Sequence, residues 1–573
     1  HRRGARLHLC HAGARPTPSV KAMASRRGRI ALMISALLLA SLAVPWSRSG
    51  AAPPANANEN GETLDLSLPG PFSGCSFLDS GASVTSDAIL DLIRPSAFIT
   101  YPNGTLQGEG GAISSTELIS LAPETVRYTI APHLTWSDGL PFNGSDLVSW
   151  WQRARALSSV TSDGYRAIKS LTVATNGLSV TAVFAKPYAD WELLFRDVES
   201  PGTTSGCAIS NLATRPSLGA YDVSSATAGR IVLSMNPKWP LDPNRFGRIV
   251  ITDAQNLPST ASVNYADYTL ALSSSSIVTL SNHPSLFSHI ASSNNIEEVT
   301  FAPTSTLTHQ LDVRRGLSLA IDRQAMINTM FGAVTFSPSV AASAIYSQGQ
   351  SSYPGTSGSN PTGQTTTTTS PTTNALTDCV TCAEASLRAA GYVHTPKGWF
   401  TSASAKPLSV RLGVGASDLD RSVARLIRAD WTTIGIVSTV VNEHSEVAAA
   451  QAAASGRVDV ALFARPTQTN PSYAARSWTG PAYADTYPSG VRLAKVNSLF
   501  KQAADIFNPV TASTTWLALD QVIMNDFWVR PLFTAPSLTV WSSTLTPVSS
   551  SFVVSGFVDQ IPTWSKVPVT TGS

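Results

Sequence analysis

The spacing of apolar residues changes character midway along the chain. From residue 62 to about 300, short apolar runs are interrupted by Gly, Pro, Asn and Ser, the pattern of short strands joined by turns. Thr125–Ile130, Leu171–Ala174, Ser179–Phe184 and Arg230–Met235 are the clearest strand candidates. One helical period stands among them. Leu147, Trp150, Trp151 and Ala154 recur at helical spacing, with Ser145 or Asp146 as the expected N-cap. Trp136-Ser137-Asp138-Gly139, just before, is a turn signal.

The second half reads as longer helices. Asp312 is placed to cap a helix running to about Met330, with Val313, Leu317, Ile321 and Ile327 inward and Gly332 past its end. Residues 347–377 are rich in Ser, Thr, Gly, Pro and Gln, a composition that packs no core and predicts a surface loop. A regular alternation follows. Leu408–Val414 reads as a strand, Asp418 to about Thr433 as a helix ended by Gly435, Ile436–Val441 as a strand, Ser445–Ala454 as a helix and Val458–Phe463 as a strand. This β-α-β-α-β order predicts a parallel, doubly wound sheet whose ligands sit beyond the carboxyl ends of the strands. Those ends are Gly413–Ser417 and the loop Ala464–Gly480. Asp418 and Asp420 read as a cap and dipole partners at a helix start.

Composition adds an address. Charged residues are 13% of the chain, about half the ~25% usual in soluble domains. Residues 1–57 hold nine of the 40 Lys+Arg and none of the 37 Asp+Glu, so the remainder is mildly acidic, which argues against nucleic acid as a partner. The first Met is Met23, and residues 1–22 read as an upstream extension. Arg26, Arg27 and Arg29 precede the uncharged apolar run Ile30–Val44, and small residues follow at Ser49–Ala52 and Ala55–Ala57, the order of a signal peptide. An uncleaved membrane anchor is the alternative. The expected location is the exterior of the cell envelope. Four cysteines lie beyond this segment, Cys75, Cys207, Cys379 and Cys382; an even count in an oxidising compartment predicts two disulfides, with Cys75–Cys207 and Cys379–Cys382 favoured among three pairings. Cys379-x-x-Cys382 is also the spacing of a redox pair or half a zinc site, but no second C-x-x-C or His pair accompanies it.

Catalytic constellations are missing from the sequence. There is no G-x-S-x-G, H-E-x-x-H or P-loop, and the six histidines after the signal segment have no metal-ligand spacing. Neither an enzyme activity nor a cofactor is expected, although a secreted hydrolase, or a surface protein that keeps the fold without transport, remains the alternative.

Three blocks carry a resemblance. Tyr128-Thr-Ile-Ala-Pro-His-Leu-Thr-Trp136-Ser-Asp138-Gly139-Leu-Pro141-Phe142 followed by Ser145-Asp146-Leu-Val-Ser-Trp150 resembles the signature of family 5 extracellular solute-binding proteins, the dipeptide/oligopeptide/nickel group. Asp312-Val313-Arg314-Arg315-Gly-Leu-Ser-Leu-Ala320-Ile321-Asp322-Arg323 is similar to a helix of that family. Cys379-x-x-Cys382 with Ala385 to Gly391-Tyr392 is similar to its actinobacterial members. Weaker matches at Gly219-Ala220-Tyr221, Asn236-Pro237 and Gly435-Ile436 keep the same order.

The resemblance implies an α/β, two-lobed periplasmic-binding-protein-like fold with an extra inserted domain and mixed sheets flanked by helices. Lobe I would comprise residues 58–105, 207–295 and 511–573, the inserted small domain 106–206, and lobe II 296–510, after a signal peptide and linker over 23–57. A monomer would capture a small ligand, an oligopeptide among the options, between the lobes and deliver it to an ABC permease and its ATPase. The Trp136–Trp150 block reads as a folding element. The strand-end rule and the family both direct attention to Asn470, Tyr473, Arg476, Trp478 and Tyr483, and the strand-end rule adds Ser417; aromatic walls and one Arg suit a pocket with a few placed polar groups. Peptide binders of the family usually carry an Asp after this strand, facing the ligand's amino terminus. Ala464-Arg465-Pro466-Thr467 has no acid, which leaves sugars, opines and metal chelates open as ligands.

Overall fold

Two long strands, Leu286–Phe301 and Val529–Ser542, organise the molecule, because every other strand of its large sheet lies to one side of them or the other. The computed structural model describes residues 62–566 apart from internal stretches, the longest being 254–262, 269–277, 355–377 and 480–492. The main elements in chain order begin with β1 (Thr63–Leu68), which buries Leu64, Leu66 and Leu68. Next come β2 (Ile113–Leu121), β3 (Glu124–Ile130), α1 (Gly144–Ala156), α2 (Ser162–Ala167), β4 (Ile168–Val173) and β5 (Ser179–Phe184). The strands β6 (Tyr221–Thr227), β7 (Arg230–Met235), β8 (Arg248–Asp253), β9 (Tyr265–Tyr268) and β10 (Leu286–Phe301) follow. Then come the helices α3 (Leu311–Leu319), α4 (Arg323–Phe331) and α5 (Val380–Ala389). The alternating region holds β11 (Ser409–Val414), α6 (Asp418–Thr433), β12 (Val437–Asn442), α7 (Glu446–Ala454) and β13 (Val460–Pro466). The chain continues with α8 (Pro471–Arg476), α9 (Ala494–Ala504), α10 (Pro509–Asn525) and β14 (Val529–Ser542).

The large sheet runs β12-β11-β13-β10-β14-β9-β1-β8-β7-β6. Its β12-β11-β13 part is parallel, as the alternation predicts, and is covered by α6 and α7; β10 then joins antiparallel and makes the sheet mixed. A separate antiparallel sheet, β2-β3-β5-β4, packs against α1 and α2.

The Trp136 block is part of that second core. Trp136 is buried and meets Phe142 edge to face at 5.6 Å, and its N–H and C=O close the turn through Leu140 and Gly139. Gly139 has φ +90°, which a side-chain-bearing residue would adopt only under strain. Trp150 donates from Nε1 to the Tyr165 hydroxyl at 2.9 Å. The helix begins earlier than the sequence indicates, capped by neither Ser145 nor Asp146. Asn143 is the N-cap of α1, and Asp146 is the third helical residue, accepting from the Asn143 N–H at 2.7 Å in a capping box.

The helix expected from Asp312 to Met330 is two helices. Gln310, not Asp312, precedes the first; Asp312 lies in its first turn and pairs with Arg315 at 3.2 Å. The break comes at Ala320–Asp322, because Asp322 caps a new helix by accepting from the Ala325 N–H at 2.8 Å. Arg323, the first residue of α4, is drawn sideways to Asp378.

Cys379 and Cys382 are joined in a disulfide across the first turn of α5. Cys75 is also disulfide-bonded; Cys207, its expected partner, lies outside the described residues. No helix among the described residues is long and apolar enough to cross a membrane.

Candidate functional site

The two central strands change partners at one place. Leu286–Ser292 of β10 pairs with Pro536–Ser542 of β14, and Ile296–Thr300 pairs with Val529–Thr534, with a register shift between. Ser293, Asn294 and Asn295, at the register shift against β14, are buried, and Ser293 ties the irregularity by donating to the Ala535 carbonyl at 2.8 Å. The two halves of the sheet are therefore joined by a locally broken ladder, the type of strand irregularity that lets a sheet bend.

The carboxyl ends of β11, β12 and β13 open onto one edge. Ser417 caps α6 there, accepting from the Asp420 N–H at 2.9 Å, while Asp420 accepts from the Ser417 N–H at 3.1 Å. A Cβ on Gly415 would collide with the Asp420 carboxylate, so the loop is closely fitted to that acid. Ser417 is thus engaged in the helix cap.

Beyond β13, the chain turns into α8 and meets the elements around the four-stranded sheet. Asn470 donates to Asp190 at 2.5 Å. Arg476 pairs with Asp163 at 2.7 Å, and its guanidinium lies 4.2 Å from the centre of the Phe500 ring. Burial raises the Asp190 carboxyl above the ordinary range, opposed by its bonds from Ser472 and Asn470 and by the charge of Arg476. The Ala189 N–H bonds the Ala504 carbonyl at 3.2 Å. Trp478 is buried in the core that contains α6 and α10. Tyr473 lies in α8, but its side chain and all of Tyr483 are outside the described residues. The structure thus brings Asn470 and Arg476 together on one contact surface and places Ser417 and Trp478 in structural roles.

Buried acids that the sequence reading passed over line the same region. Glu298 takes Arg465 Nε on both oxygens at 3.0 Å, and Arg465 also donates to the Ala344 carbonyl at 2.5 Å. Asp520 accepts from the Ala344 N–H at 2.8 Å, and burial pushes its carboxyl up to about 6. Glu297, on the other side of β10, faces Asp420 and Glu446 and is held well above the usual carboxylate range by burial and those charges. Adjacent acids inside the apolar run Ile296-Glu297-Glu298-Val299 were the available signal, since neighbouring strand residues point to opposite faces and both faces here are covered. No group of three or more metal-ligating side chains occurs among the described residues.

The sequence profile of the bacterial extracellular solute-binding proteins, family 5 (middle region), matches residues 114–485. The chain belongs to this family. The family 5 fold is two-lobed, and β10 and β14 are the strands that pass between the two halves of the sheet. An oligopeptide-binding protein OppA of Mycobacterium tuberculosis is 32% identical over 188 residues, 30% of this chain and 32% of the relative. A probable monoacyl phosphatidylinositol tetramannoside-binding protein, LpqW, of the same organism is 32% identical over 126 residues, 21% of this chain and 20% of the relative. The match spans about a third of the length of the OppA relative. Among solved structures, the periplasmic EDTA-binding protein EppA superposes with TM-score 0.76 at 18% identity, covering 90% of this chain and 98% of its own. NikZ of Campylobacter jejuni, bound to Ni(L-His), gives 0.70 at 16% identity over 88% of this chain and 99% of its own. AppA of Bacillus subtilis, bound to a nonapeptide, gives 0.70 at 12% identity over 89% of this chain and 100% of its own. These likenesses show the two-lobed periplasmic-binding-protein fold over 88–90% of the chain.

Proposed function

We propose that this protein is the extracellular solute-binding component of an ABC importer, which encloses a small ligand between its lobes and passes it unchanged to a membrane permease. The observation that carries this reading is the broken ladder between β10 and β14. Two strands with a buried irregularity at Ser293–Asn295 allow the halves of the sheet to rotate, and closure about such a connection buries a ligand on both sides. The contacts of Asn470 with Asp190 and of Arg476 with Asp163 support it, because they link the strand-end segment of one half to the elements that would face it across the cleft.

An oligopeptide is the ligand class favoured here. The OppA relative and the nonapeptide complex of AppA support it. Metal chelates are the second class, supported by the EDTA-binding and Ni(L-His)-bound neighbours. Under this reading Asn470, Tyr473, Arg476 and Trp478 belong to the ligand-facing segment, residues 106–206 form the inserted domain, and the protein works outside the membrane as a monomer. It carries out no chemistry on its ligand.

Native mass spectrometry of the purified protein tests the proposal. The expected spectrum contains a one-to-one complex whose ligand is recovered with its mass unchanged after incubation. Recovery of cleaved products would reject it in favour of a hydrolase.

A further inference from the structure

The first turn of α5 presents a disulfide to solvent. Cys379 is the N-cap of the helix and Cys382 its third residue, and their sulfurs are bonded to each other. Cys382 is exposed, as are Val380 and Thr381 between the two cysteines, while Cys379 is half-buried. An incoming reagent therefore meets Cys382 first.

Other contacts hold this turn. The Cys379 N–H bonds the Leu319 carbonyl at 3.0 Å, and the Ala383 N–H bonds the Cys379 carbonyl at 2.9 Å. Ala383 and Leu387 are buried, and α3 fits so closely there that a Cβ on Gly316 would collide with Leu387. The loop closed by the disulfide is very short, so the bond contributes little through chain entropy. The helix start keeps these contacts with the bond open, and the two sulfurs stay within reach of each other.

The two sulfurs differ as leaving groups. Cys379 Sγ accepts from the Cys382 N–H at 3.1 Å and lies 3.4 Å from Thr381 Oγ1. A thiolate in this position is held by the helix N-terminus, which lowers its basicity and lets it leave readily. The acids around the bond are compensated. Asp378 is shared by Arg323 and Arg530, and Glu384 pairs with Arg388 at 2.8 Å. Asp322 and Asp430 are taken up by the Ala325 and Asp322 N–H groups at the start of α4. An accessible sulfur bonded to a stabilised leaving group makes an exchangeable disulfide, in contrast to that of Cys75, which is fully buried.

We propose that Cys379–Cys382 is a site of reversible modification by a small thiol. An external thiolate attacks Cys382 Sγ, the bond between the cysteine sulfurs breaks, and its electron pair leaves on Cys379 as a thiolate. The product is a mixed disulfide on Cys382. Attack by Cys379 on that sulfur expels the thiol and restores the original bond. Attack by a second external thiolate on the thiol-derived sulfur instead releases the oxidised thiol and leaves both cysteines reduced. The small thiol supplies both electrons, and the site does not depend on the solute-binding reading.

Treating the native full chain with 2-mercaptoethanol, trapping with N-ethylmaleimide at intervals and mapping the peptides by mass spectrometry tests this. Cys379–Cys382 should open at least about tenfold faster than the Cys75 bridge, with the mercaptoethanol adduct on Cys382 and the maleimide on Cys379. Circular dichroism should show the helices retained. Cys382→Ser and Cys379→Ser each leave one of these thiols free for alkylation across pH. Cys379 should reach half its maximal rate at least about one pH unit below Cys382, and below the ordinary thiol value of about 8.5. Equal opening of the two bridges, an adduct on Cys379, or a Cys379 midpoint at or above about 8.5 overturns the proposal; the first two are read on the unsubstituted protein, so neither variant has to fold for the test to decide.

Discussion

Asp378 holds two buried cations at once. It accepts from the Arg323 backbone N–H at 3.0 Å and from Arg323 Nε at 2.7 Å, and from Arg530 at 2.5 Å. Both arginine side chains are almost fully buried. Burial and the like charge of Arg323 lower the Arg530 guanidinium to about 9, with Asp378 opposing the shift. Arg323 also donates to the Pro531 carbonyl at 3.0 Å, so the acid fixes the start of α4 to the crossing strand β14. Asp378→Asn keeps the shape and removes the charge that pairs with both guanidiniums. Breaking a buried pair costs about 3–5 kcal/mol. Because Asp378 is itself partly exposed, a loss toward the lower end, about 3 kcal/mol, is expected. Urea denaturation followed by tryptophan fluorescence reads this as a lower midpoint at unchanged slope. Adding Arg530→Met should recover much of the loss, because a buried pair replaced by apolar groups is often close to neutral. A loss under about 1 kcal/mol, the size of a surface ion pair, would refute the reasoning.

Other outcomes follow from the same geometry. Asp420 and Asp520 are pushed up to about 6 and Glu124 to about 7, all by burial first. Folded values above the unfolded ones mean stability present in acid and lost as pH rises through about 6 to 7, so Tm should be higher at pH 5 than at pH 8; a rising Tm would contradict those burials, and E124Q, which keeps an acceptor for the Tyr188 N–H, should flatten the fall. Reducing Cys379–Cys382 opens a very short loop, so C379S/C382S should cost no more than about 2 kcal/mol by loop entropy, measured by urea midpoint. Arg476→Ala removes the Asp163 pair and the Phe500 contact, and should enlarge the radius of gyration of the ligand-free protein while leaving its unfolding cooperative; an unchanged radius would show that this contact does not hold the lobes together.

How much of this was legible in the sequence differs by region. The β-α-β-α-β stretch was readable almost to the residue, α6 in particular, because Asp418 and Asp420 at its start, the periodic Val423 and Ile427, and Gly435 with φ +81° agree on one helix, although its cap, Ser417, was read as a ligand contact. The helix after residue 310 was misread as continuous because its apolar period runs through the break, while the break is set by Asp322 and by the distant Asp378. Arg476 was recognisable as a residue of the strand-end loop, but Asp163 and Phe500, which occupy it, are far away in sequence and carry no local sign of the contact. Glu297 was hidden for a related reason. A strand acid normally faces water, and only the burial of both Glu297 and Glu298, which point to opposite sides of β10, shows that both faces are covered.

Small-angle scattering before and after saturation with the ligand recovered by native mass spectrometry tests the central claim most directly. Capture by closure about β10 and β14 predicts a smaller radius of gyration at saturation, with the ligand recovered chemically unchanged. An unchanged radius of gyration accompanied by accumulating product would contradict it.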